Sequence, residues 1–584
     1  MTLCYTCGGI HRSLNLSLST TTKRSQQLCH SRRRFAICDC KTEYGVYGLM
    51  HRQVALMKGI YSKARTVRVW IDVNLSPDDS AVRKLLSLSS RSTMDDLGNH
   101  LVSWEPLIPL FQSPYWDRLW IQQELLFAKR LEFHCRGVNI PGNSLMKFQH
   151  LVFQKSSLGR GPFDTLSDWS TFGKQQLDPN KWGPALSASP IYMLGALRHV
   201  RDLKVTDPKD RVHATLGLII DYEGDNEVWS YEESLAEKYT RIAWLLIFKC
   251  NSLRFLADVK LTEKPDPTVI GLPSWVPNWN PPGNAAFFHA SFRAAGDIPM
   301  FPYPLGGHME ERILNARGFQ YDSVRQTLGT RDNSCIPLSQ LFTFSTSVLD
   351  SCADLSRYFD DLASALIEPS LAKLQLSQSY FRQTEKIFYL YVLHHYAFAT
   401  PGLRIADILP YEANFSSQSR EDWAGSINDL QSFHDLLPSD LRMLNLTKLS
   451  DVIPQSLDQY QRFGHFITLI SQTLGSGCLM SSTSFHLGII ERKTAVEAGN
   501  EVWILFGCPI PMILRRDGSA YVVGCPTYVC NIMDGQAVEG IYSPDQFNMW
   551  PKVLRTGYFA KPSTHKNSYI SGDGKVYVKV IKLR

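Results

Sequence analysis

The 584-residue chain contains no apolar run near the roughly 18 to 20 residues that span a bilayer, and "IAWLLIF" is far too short. The N-terminus lacks the apolar core of a secretory signal. Together these predict a cytoplasmic protein with no membrane span, whose thirteen cysteines stay mostly reduced and whose sequons at Asn15, Asn414 and Asn445 are chance matches. Strong charge is missing too: a net charge of +6, spread along the chain, gives no argument for nucleic acid as a partner. There is no Gly-x-Ser-x-Gly elbow, no phosphate-binding Gly-Lys-Ser/Thr loop, no His-Glu-x-x-His and no Gly-x-Gly-x-x-Gly after a strand, so standard hydrolase, nucleotide and zinc chemistry have no foothold. No repeat array is present either. His394-His395 is a lone pair in a helical stretch, and Gly475-x-Gly477 is too short to mean anything alone.

What remains is globular. With 44% hydrophobic and 20% charged residues, the chain exceeds a single core, and roughly two to four domains are expected.

Residues 1–45 differ from the rest: no acid precedes Asp39, and Ser, Thr and Arg are enriched. Cys4-x-x-Cys7 with Cys29, His30, Cys38 and Cys40 suggests zinc, but the spacing fits no standard finger. A mitochondrial transit segment suits the composition, though an amphipathic helix is hard to draw through "NLSLSTTTKRSQQ". An irregular leader is the third reading.

Regular patterning begins near Met50. Val54, Met57, Tyr61 and Ala64 repeat at helical spacing, "TVRVWID" alternates as a strand, a helix is expected across Met94 to Phe111, and "RLEFHC" alternates again. Helices alternating with strands imply a layered α/β unit around a parallel sheet, over 46–160. Over 161–300 the pattern turns helical. Asp207 is a natural cap before Pro208, Asp210 favours the free amides of the next helix, and Leu235, Tyr239, Ile242, Ala243 and Leu246 share a face. "GLPSWVPNWNPPG" is an extended strap carrying Trp275 and Trp279, which either pins its indoles on a neighbouring surface or offers an aromatic platform for a ligand. Residues 301–470 read as mainly helical. Over 471–584 short β runs are punctuated by prolines and by the hairpin signal Asp517-Gly518, which predicts a small antiparallel β module or barrel.

One segment is anomalous. Between Ser113 and Phe133 a helix opening at Pro114 would gather Trp116, Leu119, Trp120, Leu126 and Phe127 into an apolar arc with Gln123 in its middle. Asp117 and Glu124 are hemmed in as well, leaving Arg118, Gln122 and Lys129 as the solvated stripe. A buried Gln-Glu pair is either a structural clasp, with Glu124 paired to an arginine such as Arg68 or Arg201, or a reactive carboxylate of raised pKa.

Several blocks in order carry a resemblance: "RQVALMKGIYSKARTVRVW", "PYWDRLWIQQELLFA" with Arg118, Trp120, Gln123 and Glu124, then "TDPKDRVHATLGL", "LPSWVPNW", and "GNEVWILFGCPIPMILRRDGSAYVVGCPTYVCNIMDGQA" with Asp534. The chain resembles the fungal heterokaryon-incompatibility (HET) domain proteins. It departs at the front, where "LCYTCGG" keeps only Tyr5 and Gly8 after a Leu and "FAICDCKTEYG" scarcely matches the family's second block, and near the end, where Gln536 stands for the usual Glu. The resemblance implies non-self recognition leading to programmed cell death. It implies protein partners in an incompatibility complex, with self-association open, and a HET domain likened to the flavodoxin-like Toll/interleukin-receptor fold. Some members of that broader fold cleave NAD with a glutamate, which makes Glu124 the candidate by analogy alone, with NAD as substrate and no cofactor or metal. A signalling module, an NAD-consuming hydrolase and a decayed copy are the competing readings.

Overall fold

The computed structural model describes residues 2–6, 60–93, 104–156, 190–218 except 202, 232–262 except 251, 266–280, 292–298 except 297, 312–328, 337–349, 355–371, parts of 376–393, 457–538 except 492–493, 568–570 and 577–584. The cysteine and histidine cluster beyond Cys4, the sequons and His394-His395 lie outside these, as does the side chain of Cys4. The chain divides into two compact units: residues 1–238 with 279–282, and residues 239–278 with 283–584.

The first unit is built on a four-stranded sheet, in spatial order β1 (Thr2–Thr6), β2 (Thr66–Asn74), β3 (Leu131–Arg136) and β4 (Val138–Pro141). The first three are parallel and β4 is antiparallel to β3. Residues 2–6 are the only part of 1–45 that the structure describes, and there "TLCYT" pairs with β2 along its whole length. In β2 and β3 the period-two alternation sends Val67, Val69, Ile71, Leu131, Phe133 and Cys135 into the core. Arg68, Trp70, Asp72 and Arg136 stay exposed on the opposite face.

The connection from β2 to β3 covers the apolar face. It contains α1 (Ser80–Ser87), α2 (Ile108–Phe111) and α3 (Ile121–Phe127), whose buried Ala81, Leu85, Leu110, Phe111, Ile121 and Leu125 join the sheet residues in one cluster. Each of the larger of these side chains stabilises the fold by roughly 1.5 to 3 kcal/mol when fully buried. α4 (Gly142–Ser156) adds Leu145, Phe148 and Leu151. Further on lie α5 (Pro190–Val200) and α6 (Asp210–Leu218). α7 (Leu235–Cys250) opens with a reciprocal cap in which Ser234 N–H donates to Glu237 Oε2 at 2.8 Å and Glu237 N–H to Ser234 Oγ at 3.2 Å.

The second unit holds an eight-stranded sheet. Its longest strand, β5 (Leu314–Leu328), lies within the stretch expected to be mainly helical. That stretch also supplies α8 (Leu338–Leu349), α9 (Leu355–Leu371) and most of α10 (Leu457–Ser476), but the strand's alternating burial serves the β module. β6 (Gly477–Ser482), β7 (Leu487–Glu491), β8 (Glu501–Leu505), β9 (Met512–Asp517) and β10 (Ala520–Val529) complete an antiparallel circuit β5-β6-β7-β10-β9-β8 that returns to β5. Closure removes sheet edges and encloses Phe319, Val324, Met480, Ile490, Val502, Ile504, Ile513 and Cys525. A Cβ on Gly318 would lie 2.2 Å from Ile504 O, so glycine is required where β5 and β8 approach. The β9–β10 turn follows its sequence signal: Gly518 has φ +61° and Asp517 pairs with Ala520. β11 (Ser568–Ile570) and β12 (Tyr577–Leu583) form a hairpin, and β12 also pairs with β5. Among the described residues no helix is long and apolar enough to cross a membrane.

Candidate functional site

The segment Ser113–Phe133 is not one rod. Residues 114–117 form turns, and the α-helix begins only at Ile121. The reason is a backbone partner: Lys204 N–H donates to Asp117 O at 2.5 Å and Leu119 N–H to Lys204 O at 3.1 Å, a parallel bridge centred on Arg118 and Lys204. The bridge satisfies the polar groups of Asp117 and Leu119 outside a helix, and local helix propensity yields to it. The Asp117 carboxylate also receives Lys204 Nζ at 2.8 Å. Gln122, expected on the solvated stripe, is buried at 1% exposure.

Shortening the helix does not release Gln123 and Glu124, which are 0% and 1% exposed. Gln123 Nε2 donates to Ala214 O at 3.3 Å, and its Oε1 has no hydrogen-bond partner among the described residues. Glu124 sits in the first turn of α3 with a hydroxyl on each oxygen: Tyr61 donates to Oε1 and Tyr115 to Oε2, both at 3.3 Å. Burial pushes this carboxyl from the ordinary 4.5 up to about 7, against the opposing pull of the Arg118 charge and the two phenols. The arginine clasp is therefore corrected. Arg68 pairs with Glu132 at 3.1 Å, and the donors at Glu124 are tyrosines. The sequence placed Tyr61 on a core face and passed over Tyr115; the usable signal was that a buried acid needs hydroxyl or cationic donors from adjacent apolar faces.

The other sequence candidates scatter around this pair or away from it. Trp120 Nε1 donates to Asp210 Oδ2 at 3.1 Å, so Asp210 ties α6 to the start of α3. Asp207 accepts the Lys209 amide at 2.9 Å, as a cap should. Trp275 is wholly buried, donates to Arg312 O at 2.9 Å, and meets Trp244 edge-on with ring centroids 5.3 Å apart. Trp279 is 1% exposed. Neither indole offers a ligand platform. Asp534 is exposed and its amide donates to Gln536 Oε1 at 2.8 Å, a contact that the oxygen of a Glu would make equally well.

Chemically, Glu124 is an acid poised between its two forms near neutral pH, which suits general acid or base catalysis. Its oxygens are occupied by two phenols, and its side chain is closed to solvent. Such an arrangement is an anchor that holds the helical segment at Tyr61, the turn at Tyr115 and α3 together.

A family model described as Heterokaryon incompatibility protein (HET) matches residues 48–124, a span that ends on this glutamate. No curated protein and no solved structure matches the chain.

Proposed function

Because the chain carries a HET domain, we propose that it is an effector of heterokaryon incompatibility in a fungal cytoplasm, promoting cell death through protein contacts. The observation that supports contact over chemistry is the burial of Glu124 between Tyr61 and Tyr115, which leaves the one acid of raised pKa among the described residues of the HET span no surface for a substrate. The test is inducible expression of the full chain and of Glu124→Gln in a filamentous fungus, with NAD followed alongside viability. Death that persists in the folded variant without NAD loss is the expected outcome. Loss of killing by Glu124→Gln with its fold intact would replace this reading with the second one, an NAD-consuming hydrolase with Glu124 at the reacting centre. That second reading rests on the raised pKa alone. No killing by either protein would favour a decayed copy.

A Toll/interleukin-receptor-like fold belongs to the same proposal. Three parallel strands with helices on the apolar face support it. Flavodoxin-like sheets reverse their winding direction, whereas the described strands follow chain order.

A further inference from the structure

The face of the β1–β4 sheet turned away from the core carries a ladder of side-chain pairs. Arg68 Nε meets Glu132 Oε2 at 3.1 Å, the Trp70 ring stacks on His134 with centroids 6.4 Å apart and planes 9° from parallel, and Arg136 Nη2 meets Asp72 Oδ1 at 2.6 Å. Read along β2 the order is cation, aromatic, anion; along β3 it is anion, aromatic, cation. Parallel sheets are normally covered on both faces. Here Trp70 is 37% exposed and the side chains of Arg68, Asp72 and Arg136 are 46%, 47% and 64% exposed, while those of Glu132 and His134 are 22% and 21% exposed.

The geometry points to a second copy of this chain as the occupant of this face. An isologous dimer needs a patch complementary to itself, and this ladder is one. A two-fold axis lying in the plane of the face and running along the strands sets Arg68 against the second copy's Glu132, Asp72 against its Arg136, and Trp70 against its His134. An axis across the strands also pairs every cation with an anion, now Arg68 with Asp72 and Glu132 with Arg136, and stacks the two Trp70 rings. Arg130, 2.5 Å from Glu132, adds a second cation to that end. Strands about 4.8 Å apart and a few residues long present a few hundred Å² per copy, below the roughly 800 Å² of a standard interface, so the dimer is weak and concentration-dependent. It does not depend on whether the protein acts by contact or by chemistry.

The test is sedimentation of the full chain at low salt up to about 100 μM, a range suited to weak association. The wild type is expected to dimerise and to dissociate as salt rises. Glu132→Arg, checked for an unchanged near-ultraviolet spectrum and melting temperature, is expected to weaken association at least about tenfold by opposing like charges. Mixing it with Arg68→Glu or with Arg136→Glu chains, each weakened alone, is expected to restore a mixed dimer for the partner that matches the axis in use. Should Glu132→Arg misfold, Trp70→Ala, which leaves the core face untouched, takes its place and must be monomeric. A wild type monomeric throughout, a folded Glu132→Arg or Trp70→Ala chain that dimerises like the wild type, or failure of both mixtures overturns the proposal. Covering of the face by another part of the same chain predicts the first of these results.

Discussion

Tyr115 donates its hydroxyl to Glu124 across 3.3 Å, so two residues nine positions apart, one in a turn and one in a helix, share a buried hydrogen bond. The helix starts only at Ile121, after the backbone of Asp117 and Leu119 has bonded to Lys204.

Stability should depend on pH through Glu124. Its folded pKa of about 7 lies above the ordinary 4.5, so the folded state holds the proton more tightly between those values. The stabilisation is complete below about 4.5 and is lost as pH rises through 7, a change on the order of 3 kcal/mol at 1.36 kcal/mol per pKa unit. Glu124→Gln cannot ionise, so its urea-unfolding free energy should lack that decline and exceed the wild type's at pH 8. Parallel pH profiles for the two proteins would refute the assignment.

Tyr115→Phe and Tyr61→Phe each remove one donor from the carboxylate while keeping the ring packed. Each should destabilise the fold by about 1 to 2 kcal/mol, more above pH 7 than below pH 5, because the ionised acid needs the donor most. In the Glu124→Gln background the cost should shrink. A double-mutant cycle with no coupling would show that the hydroxyls act elsewhere.

Lys204 separates side-chain from backbone effects. Lys204→Ala removes an ion pair whose lysine is 74% exposed, and should cost under about 0.5 kcal/mol. Lys204→Pro removes the amide that binds Asp117 O, and should cost about 2 to 3 kcal/mol. Equal losses for both substitutions, measured by thermal melting, would place the stabilisation in the charge pair instead.

The strands of the first unit were legible because alternation is local: Val67, Val69 and Ile71 must share a face wherever the chain goes, and so must Leu131, Phe133 and Cys135. The same holds for the Asp517-Gly518 hairpin, whose turn chemistry lies within four residues. The Ser113–Phe133 rod was misjudged because its helical pattern was real, but a bridge to Lys204 from far along the chain competed for the same backbone groups. β5 was overlooked because fifteen residues of mixed polarity acquire strand character only when β8, β12 and β6 pair along different parts of them.

By itself the sequence determined that an amide and an acid at Gln123 and Glu124 would be withdrawn from water, since apolar neighbours flank them under any helical arrangement. Tertiary structure decided what meets them. Hydrogen-bond donors act over about 3 Å, and only folding brings Tyr61, 63 positions away, and Ala214, 91 positions away, to that distance.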